Sequence, residues 1–313
     1  MKIGFIYEHP TWSNELISCL ESNGIILDLK NVADLAFDTH PDHGDNQLWI
    51  NRVNIMPSAQ RNPAVVFHTL HYLNWLEHSG ARVINGARAH YVGASKAMQN
   101  AVFASLKLHY PRAVAIHRPE DALDAARQIG YPVIVKPNIG GSGSGVSKRN
   151  SEVELAEAVK FKMLDLGVDN TGLVQQYIES DGFIYRVEIL GDQLFYAIRQ
   201  PIQEGTFNYC AADGCHTDPE PNDEFDFCAI DGADRISTFE PDADTVEQVV
   251  QIVQATGADV GGVEYLVDRK TGQLCYYDFN PYSNFVTNGE SLLGFSPEQR
   301  YTDFILEKAR NSP

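Results

Sequence analysis

The chain has 313 residues, 43% of them hydrophobic, and a formal charge of −18 from 24 basic and 42 acidic side chains. That length and apolar content suffice for two or three packed sub-domains, so disorder is not the default. Phosphate backbones are bound by clustered Lys and Arg; nucleic acid is therefore not expected as a partner, and any phosphate site is a local basic exception.

No apolar run is long enough to cross a bilayer, and the opening MKIGFIYEHP has no small-residue cleavage site, so a cytoplasmic protein without membrane contact is expected. The cysteines (Cys19, Cys210, Cys215, Cys228, Cys275) are odd in number, scattered and without C-x-x-C or Cys/His spacing. Neither structural disulfides nor zinc are expected from them.

In chain order, Lys2 to Tyr7 is an apolar strand. A capped helix follows from Thr11-Trp12-Ser13-Asn14-Glu15, with Leu16, Ile17 and Leu20 at helical spacing before Gly24. A second strand, Ile25 to Leu29, comes at once, which predicts a small α/β unit with a parallel sheet. Residues 38–47 are polar and turn-rich, a surface loop. Ala64 to Glu77 is helical and Arg82 to Asn85 a short strand. Ser95 caps a helix from Lys96 to about Leu108. Pro119 and Gly130 frame another helix, Tyr131 to Lys136 is a strand, and Ser151 to Glu154 is a capping box opening a further helix.

From Leu173 the pattern turns to antiparallel strands: LVQQYI, FIYRVEIL and QLFYAIR, with Gly191-Asp192 as a tight turn. An acidic, turn-rich stretch covers 213–244. A helix from about Asp244 to Thr256 and two strands, Val263 to Val267 and Leu274 to Phe279, follow it.

Three segments carry chemistry. The first is VIVKPNIGGSGSGV, residues 133–146. Four glycines and two serines let backbone N–H groups turn inward on phosphate oxygens, and Lys136 adds a point charge. Val146 stands where a Walker A loop has its Lys, and the spacing does not fit G-x-G-x-x-G. A flexible linker is the alternative, although linkers seldom follow a buried strand ending in Lys-Pro.

The second is the hairpin from Val263 to Pro281. With its turn centred on Thr271, Glu264 faces Asp278, and Asn280 shares the face of Asp278. Facing acids repel unless a divalent cation with oxygen ligands, Mg²⁺ in particular, joins them. Unrelated solvent-facing acids are the alternative. The third is Leu173 to Glu179, whose backbone could meet an adenine edge and whose Glu179 or Asp181 a ribose; an ordinary strand end fits equally. Arg186 and Arg199, on the strands beside it, must face water, an acid or an anionic ligand.

With these pieces in this order, the chain resembles the ATP-grasp superfamily over nearly its whole length. The similarity runs most closely to its ribosomal-protein glutamate ligase and glutathione synthetase-like branch. That resemblance implies an α/β (α+β) fold: an N-terminal Rossmann-like domain (1–94), a central α/β lid with the glycine-rich loop (95–175) and a C-terminal antiparallel-sheet domain with the metal site (176–313). Lys96 resembles the first ATP-binding lysine and Lys136 the second. Gly141, Ser142, Gly143, Ser144 and Gly145 resemble the phosphate loop, and Gln175, Gln176, Tyr177, Ile178 and Glu179 the adenine hinge. Arg186 and Arg199 resemble the anion-binding, catalytic arginines. Glu264, Asp278 and Asn280 resemble the set for Mg²⁺, with Mn²⁺ as a substitute.

Departures are visible. The two metal acids occur in the reverse order to the branch, Ile184 stands where an acid for the ribose is common, and TFNYCAADGC (206–215) lacks a basic residue beside the substrate. The activity implied is an ATP-dependent carboxylate–amine ligase working through an acyl-phosphate on an amino acid or peptide. The alternatives are a small-molecule kinase on the same fold and a non-catalytic nucleotide-binding regulatory protein. A homodimer is the default assembly.

Overall fold

The computed structural model describes residues 1–9, 11–40, 44–54, 62–141, 143–202, 236–282, 285–286 and 288–310. Strand β1 (Lys2–Tyr7), helix α1 (Asn14–Ser22), β2 (Ile26–Asn31), β3 (Trp49–Asn51), α2 (Ala64–His78) and β4 (Val83–Ile84) form an all-parallel sheet in the order β2-β1-β3-β4. The alternation of short apolar strands with helices gives this layout, as the sequence predicts. Two details differ. Ser13 occupies the N-cap of α1 but its side chain makes no cap bond, and β3 is an additional strand. Only three residues long and buried on both faces, β3 has no alternation for a pattern to reveal.

Helices α3 (Ala87–Ala94) and α4 (Lys96–Ser105) meet at Ser95, whose Oγ accepts from the Met98 N–H at 3.3 Å and so caps the second helix. Next come β5 (Ala113–Ile116), α5 (Ala122–Ile129), β6 (Val133–Pro137), β7 (Ser147–Arg149), α6 (Glu152–Lys160) and β8 (Gly172–Gln176). They form an antiparallel sheet, β5-β8-β6-β7. Val133, Val135 and Val174 point to one face, against Ala122, Ala126 and Leu155 of the helices. By period two, Ile134, Lys136, Leu173 and Gln175 point to the other.

A third sheet, β11-β10-β9-β12-β13, holds β9 (Phe183–Leu190), β10 (Gln193–Pro201), β11 (Ser237–Thr238), β12 (Val260–Val267) and β13 (Leu274–Asn280). Val187, Val263 and Phe279 cover one face, packed against Val102 and Phe103 of α4 and against Val249, Ile252 and Val253 of helix α7 (Ala243–Ala255). Helix α8 (Gly289–Leu293) follows. The last helix, α9 (Pro297–Arg310), brings Tyr301 and Ile305 onto Ile3, Phe5, Leu16 and Leu20 of the first unit. Packing thus crosses the sequence boundaries at 95 and 176: α4 serves the third sheet, and α9 the first.

The first and third sheets are fastened at the end of β13. Asn85, at φ 56°, donates from Nδ2 to the carbonyls of Val260 (2.9 Å) and Pro281 (2.5 Å), and its Oδ1 accepts from the N–H groups of Asp259 and Val260. Asn51 donates to the Tyr282 hydroxyl at 2.5 Å, which also lies 3.3 Å from His90 Nδ1. Among the described residues, no helix is long and apolar enough to cross a membrane.

Candidate functional site

The face of the third sheet turned away from α4 and α7 carries two cross-strand rows. One runs Ile198, Arg186, Glu264, Asp278 and the next Tyr196, Glu188, Gly262, Asn280, over β10, β9, β12 and β13. The acids therefore face each other as the sequence predicts, but for a subtler reason. Near the turn the pairing is Leu266 with Cys275 and Tyr265 with Tyr276, which would set Glu264 against Tyr277 and turn Asp278 into the core. A β-bulge at Tyr277 absorbs one residue and restores Glu264 opposite Asp278. Tyr276 and Phe279 both lie in the core although three apart, the odd spacing that the bulge produces. The Tyr277 hydroxyl donates to Glu264 Oε2 at 2.6 Å.

The two lysines arrive from other elements. Lys96 leaves the first turn of α4; its Nζ lies 3.5 Å from Asp278 Oδ1 and donates to the Gly140 carbonyl at 3.0 Å. Lys136 ends β6, buried. Burial first, and Lys96 second, pull its ammonium down to about 7, against the opposite pull of Asp278 and Glu264. Glu264 moves the other way: burial and then Asp278 raise it, opposed by Arg186 and the Tyr277 hydrogen bond. Two lysines and two acids from one helix and two sheets thus converge on one place.

Asn138, inside the glycine-rich motif but given no role by its sequence, fixes that convergence. Its Oδ1 accepts from Ser95 Oγ (3.1 Å) and from the Ala97 N–H (2.9 Å), and its carbonyl accepts from the Lys96 N–H (3.1 Å). Its amide donates to Asp169 Oδ2 at 3.2 Å. The segment that carries Lys96 is thereby tied to the strand that carries Lys136. The signal available in the sequence was its place directly after Lys136-Pro137.

In the glycine-rich loop, Gly143 and Gly145 have φ of 74° and 69°, which side-chain-bearing residues rarely adopt. Turns close between Gly141 and Ser144 (3.0 Å) and between Gly143 and Val146 (3.2 Å). Ser142 lies outside the described residues, as does the 206–215 segment expected beside the substrate.

The residues expected at the adenine hinge separate by surroundings. Gln175 is buried on the face of Lys136. Gln176 lies on the opposite face, exposed, and exchanges contacts with the Arg112 backbone. Tyr177 lies under Lys148, whose Nζ is 3.7 Å from the ring centroid; this lysine of β7 was not singled out from sequence. Ile178 is buried. Glu179 is 3.7 Å from Arg269, and its carbonyl accepts from the Arg269 N–H. That contact, with the bridge between Ser180 and Asp268, clasps the hinge to the β12–β13 turn.

The arginines part company. Arg186 is on the face turned away from α4 and α7, in register with Glu264. Arg199 is in register with Tyr185, on the face that carries Val187 and Ala197, and its guanidinium lies over Phe183 at 5.0 Å with Nε donating to Ser237 Oγ at 3.3 Å. Strand alternation puts it across the sheet from the acids, so the structure pairs Arg186 with Glu188 rather than with Arg199.

The acids fit Mg²⁺. Their donors are all hard oxygens, and two repelling carboxylates in register are what a small divalent cation relieves. Among the described residues no three of His, Cys, Asp and Glu meet closely enough to hold an ion. The third oxygen is the Asn280 amide, whose Oδ1 accepts the Tyr282 N–H at 2.9 Å. One or two carboxylates completed by nucleotide phosphates and water is the usual Mg²⁺ arrangement.

Residues 94–194 match the family described as carbamoyl-phosphate synthase L chain, ATP binding domain. A D-alanine--D-alanine ligase of Xanthomonas axonopodis pv. citri is 37% identical over 125 residues, 39% of this chain and 36% of that protein. One from Halorhodospira halophila is 39% identical over 83 residues, 26% of each chain. The chain thus spans 26% and 36% of the length of these two curated relatives. Two solved structures superpose on nearly all of it. The RimK domain protein ATP-grasp of Sphaerobacter thermophilus gives a TM-score of 0.66 at 17% identity, covering 98% of this chain and 100% of that one. The D-alanine--D-alanine ligase of Bacillus anthracis complexed with ATP gives 0.66 at 15%, covering 99% and 97%.

Proposed function

From the ATP-grasp fold that this chain has, we propose that it is an ATP-dependent carboxylate–amine ligase that forms an amide through an acyl-phosphate, with an amino acid or peptide among its substrates. The observation that carries this reading is the meeting of Lys96 and Lys136 with Glu264, Asp278 and Asn280, beside a glycine-rich loop whose backbone bends toward Lys96.

The chain's own residues divide the work. Gln175 and the Tyr177–Glu179 backbone border the adenine. Lys96 and Lys136 bind the α- and β-phosphates, and the loop from Gly141 to Gly145 closes over the γ-phosphate and excludes water. Glu264, Asp278 and Asn280 hold Mg²⁺, which when bound neutralises the triphosphate and polarises its terminal phosphorus. Arg186 steadies charge on the transferred phosphoryl group and on the oxyanion of the acyl carbon. A substrate carboxylate attacks the γ-phosphorus and displaces ADP. The amine then attacks the acyl carbon, phosphate leaves, and the amide remains. No side-chain nucleophile is used.

The test is ADP release by the purified protein with Mg-ATP, across pooled carboxylates with and without pooled amino acids. Release that needs both pools is expected. Release with a hydroxyl compound and no amine would replace the ligase by a kinase.

A further inference from the structure

Glu188 does not belong to the motif set, yet it lies on the floor of the site. Strand alternation puts it on the face of Arg186, two residues along β9, and both are nearly sealed from water, at 2% and 7% exposure. Its Oε1 accepts from Arg186 Nε at 2.6 Å, and Nη2 lies 2.5 Å from the same oxygen without hydrogen-bond geometry. The guanidinium therefore turns its Nε–Nη2 edge to Glu188, which leaves Nη1 as the nitrogen directed elsewhere.

Two features show that this contact is built rather than incidental. Across β12 from Glu188 stands Gly262, and a methyl group there would overlap both Oε1 and Cδ of the carboxylate. The glycine thus leaves the space in which the carboxylate sits, at a position with no left-handed backbone to require it. Second, Arg186 has another acid in reach, Glu264, directly opposite on β12. Without Glu188, a buried guanidinium would turn to that acid and occupy an oxygen needed for the cation.

Resting on the ATP reading above, we propose that Glu188 is a positioning residue. It holds Arg186 by its Nε–Nη2 edge, in the room left by Gly262, so that Nη1 points to the γ-phosphate and Glu264 stays open. Glu188 itself touches no reacting atom.

The experiment measures binding of Mg-ADP and of the Mg complex of a non-hydrolysable β,γ-imido ATP analogue to the full chain, by calorimetry. Wild type is compared with Glu188→Ala, Glu188→Gln and Gly262→Ala, and each melting curve is recorded. Glu188→Ala and Gly262→Ala should lower the preference for the triphosphate over ADP by about tenfold or more, with ADP affinity kept. Glu188→Gln should stay within about threefold of wild type, since its amide oxygen still accepts from Nε. Gly262→Ala carries the test should Glu188→Ala fail to fold, because it displaces the carboxylate with both charges retained. An unchanged preference in the two disruptive variants, or an equal loss for both nucleotides, would overturn the inference and leave the ATP reading standing. Failure of wild type to bind either nucleotide would remove that reading and this one with it.

Discussion

Nucleotide binding should take up a proton at Lys136, more at alkaline than at acid pH. Lys136 sits where burial, and then Lys96, hold its ammonium down to about 7. The phosphates of ATP add negative charge beside it, which favours the charged form and lifts it well above that value. At about pH 8 roughly a tenth of the free protein carries the proton while all of the complex does, so binding takes up about 0.9 proton; at about pH 6 uptake falls to about 0.1. The same arithmetic weakens apparent affinity about tenfold between the two pH values, since only the protonated fraction is competent. Calorimetry with Mg-ATP in buffers of different ionisation enthalpy reads the uptake. In a Lys136→Arg protein, charged at every pH used, the uptake should vanish. Equal uptake at both pH values in wild type, or uptake retained in that variant, would refute the reasoning.

His90 makes a second pH signal, this time in stability. Burial holds its imidazolium down from 6.5 to about 4 in the fold, so the unfolded chain binds the proton first on acidification. Stability is therefore fully present above about pH 6.5 and falls by about 3 kcal/mol as pH drops toward 4. Urea titrations across that window check it against a His90→Asn protein, in which this part of the slope should be missing. Asn138→Ala removes the acceptor shared by Ser95 and the Ala97 N–H, which should cost about 2 kcal/mol of stability and weaken ATP binding about tenfold with both lysines present. Equal ATP affinity in that variant would show that Lys96 and Lys136 need no such tie.

What the sequence determines by itself is the local order of elements and the chemistry each can carry. Apolar period and caps give most helices and strands within a residue or two, because those signals are local, as at Ser95 and Ser151. The glycine-rich loop and the Glu264, Asp278, Asn280 face are legible for the same reason: spacing fixes which side of a strand each residue takes.

Where the elements went was decided by tertiary packing. The short β3 owes its existence to the core it joins, so no pattern of its own announces it, whereas α9 has Tyr301, Ile305 and Ala309 at helical spacing behind Ser296 and takes only its place on the first sheet from packing. Arg186 and Arg199 look alike in sequence; only the register of β9 against β10 and β12 sends one to the acids and the other across the sheet. Lys96 and Asp278 lie far apart along the chain and close in space because α4 packs on the sheet that holds β13. Asn138 and Glu188 came to light last, since a residue that acts by holding another has no chemistry of its own to read until its partner is in place.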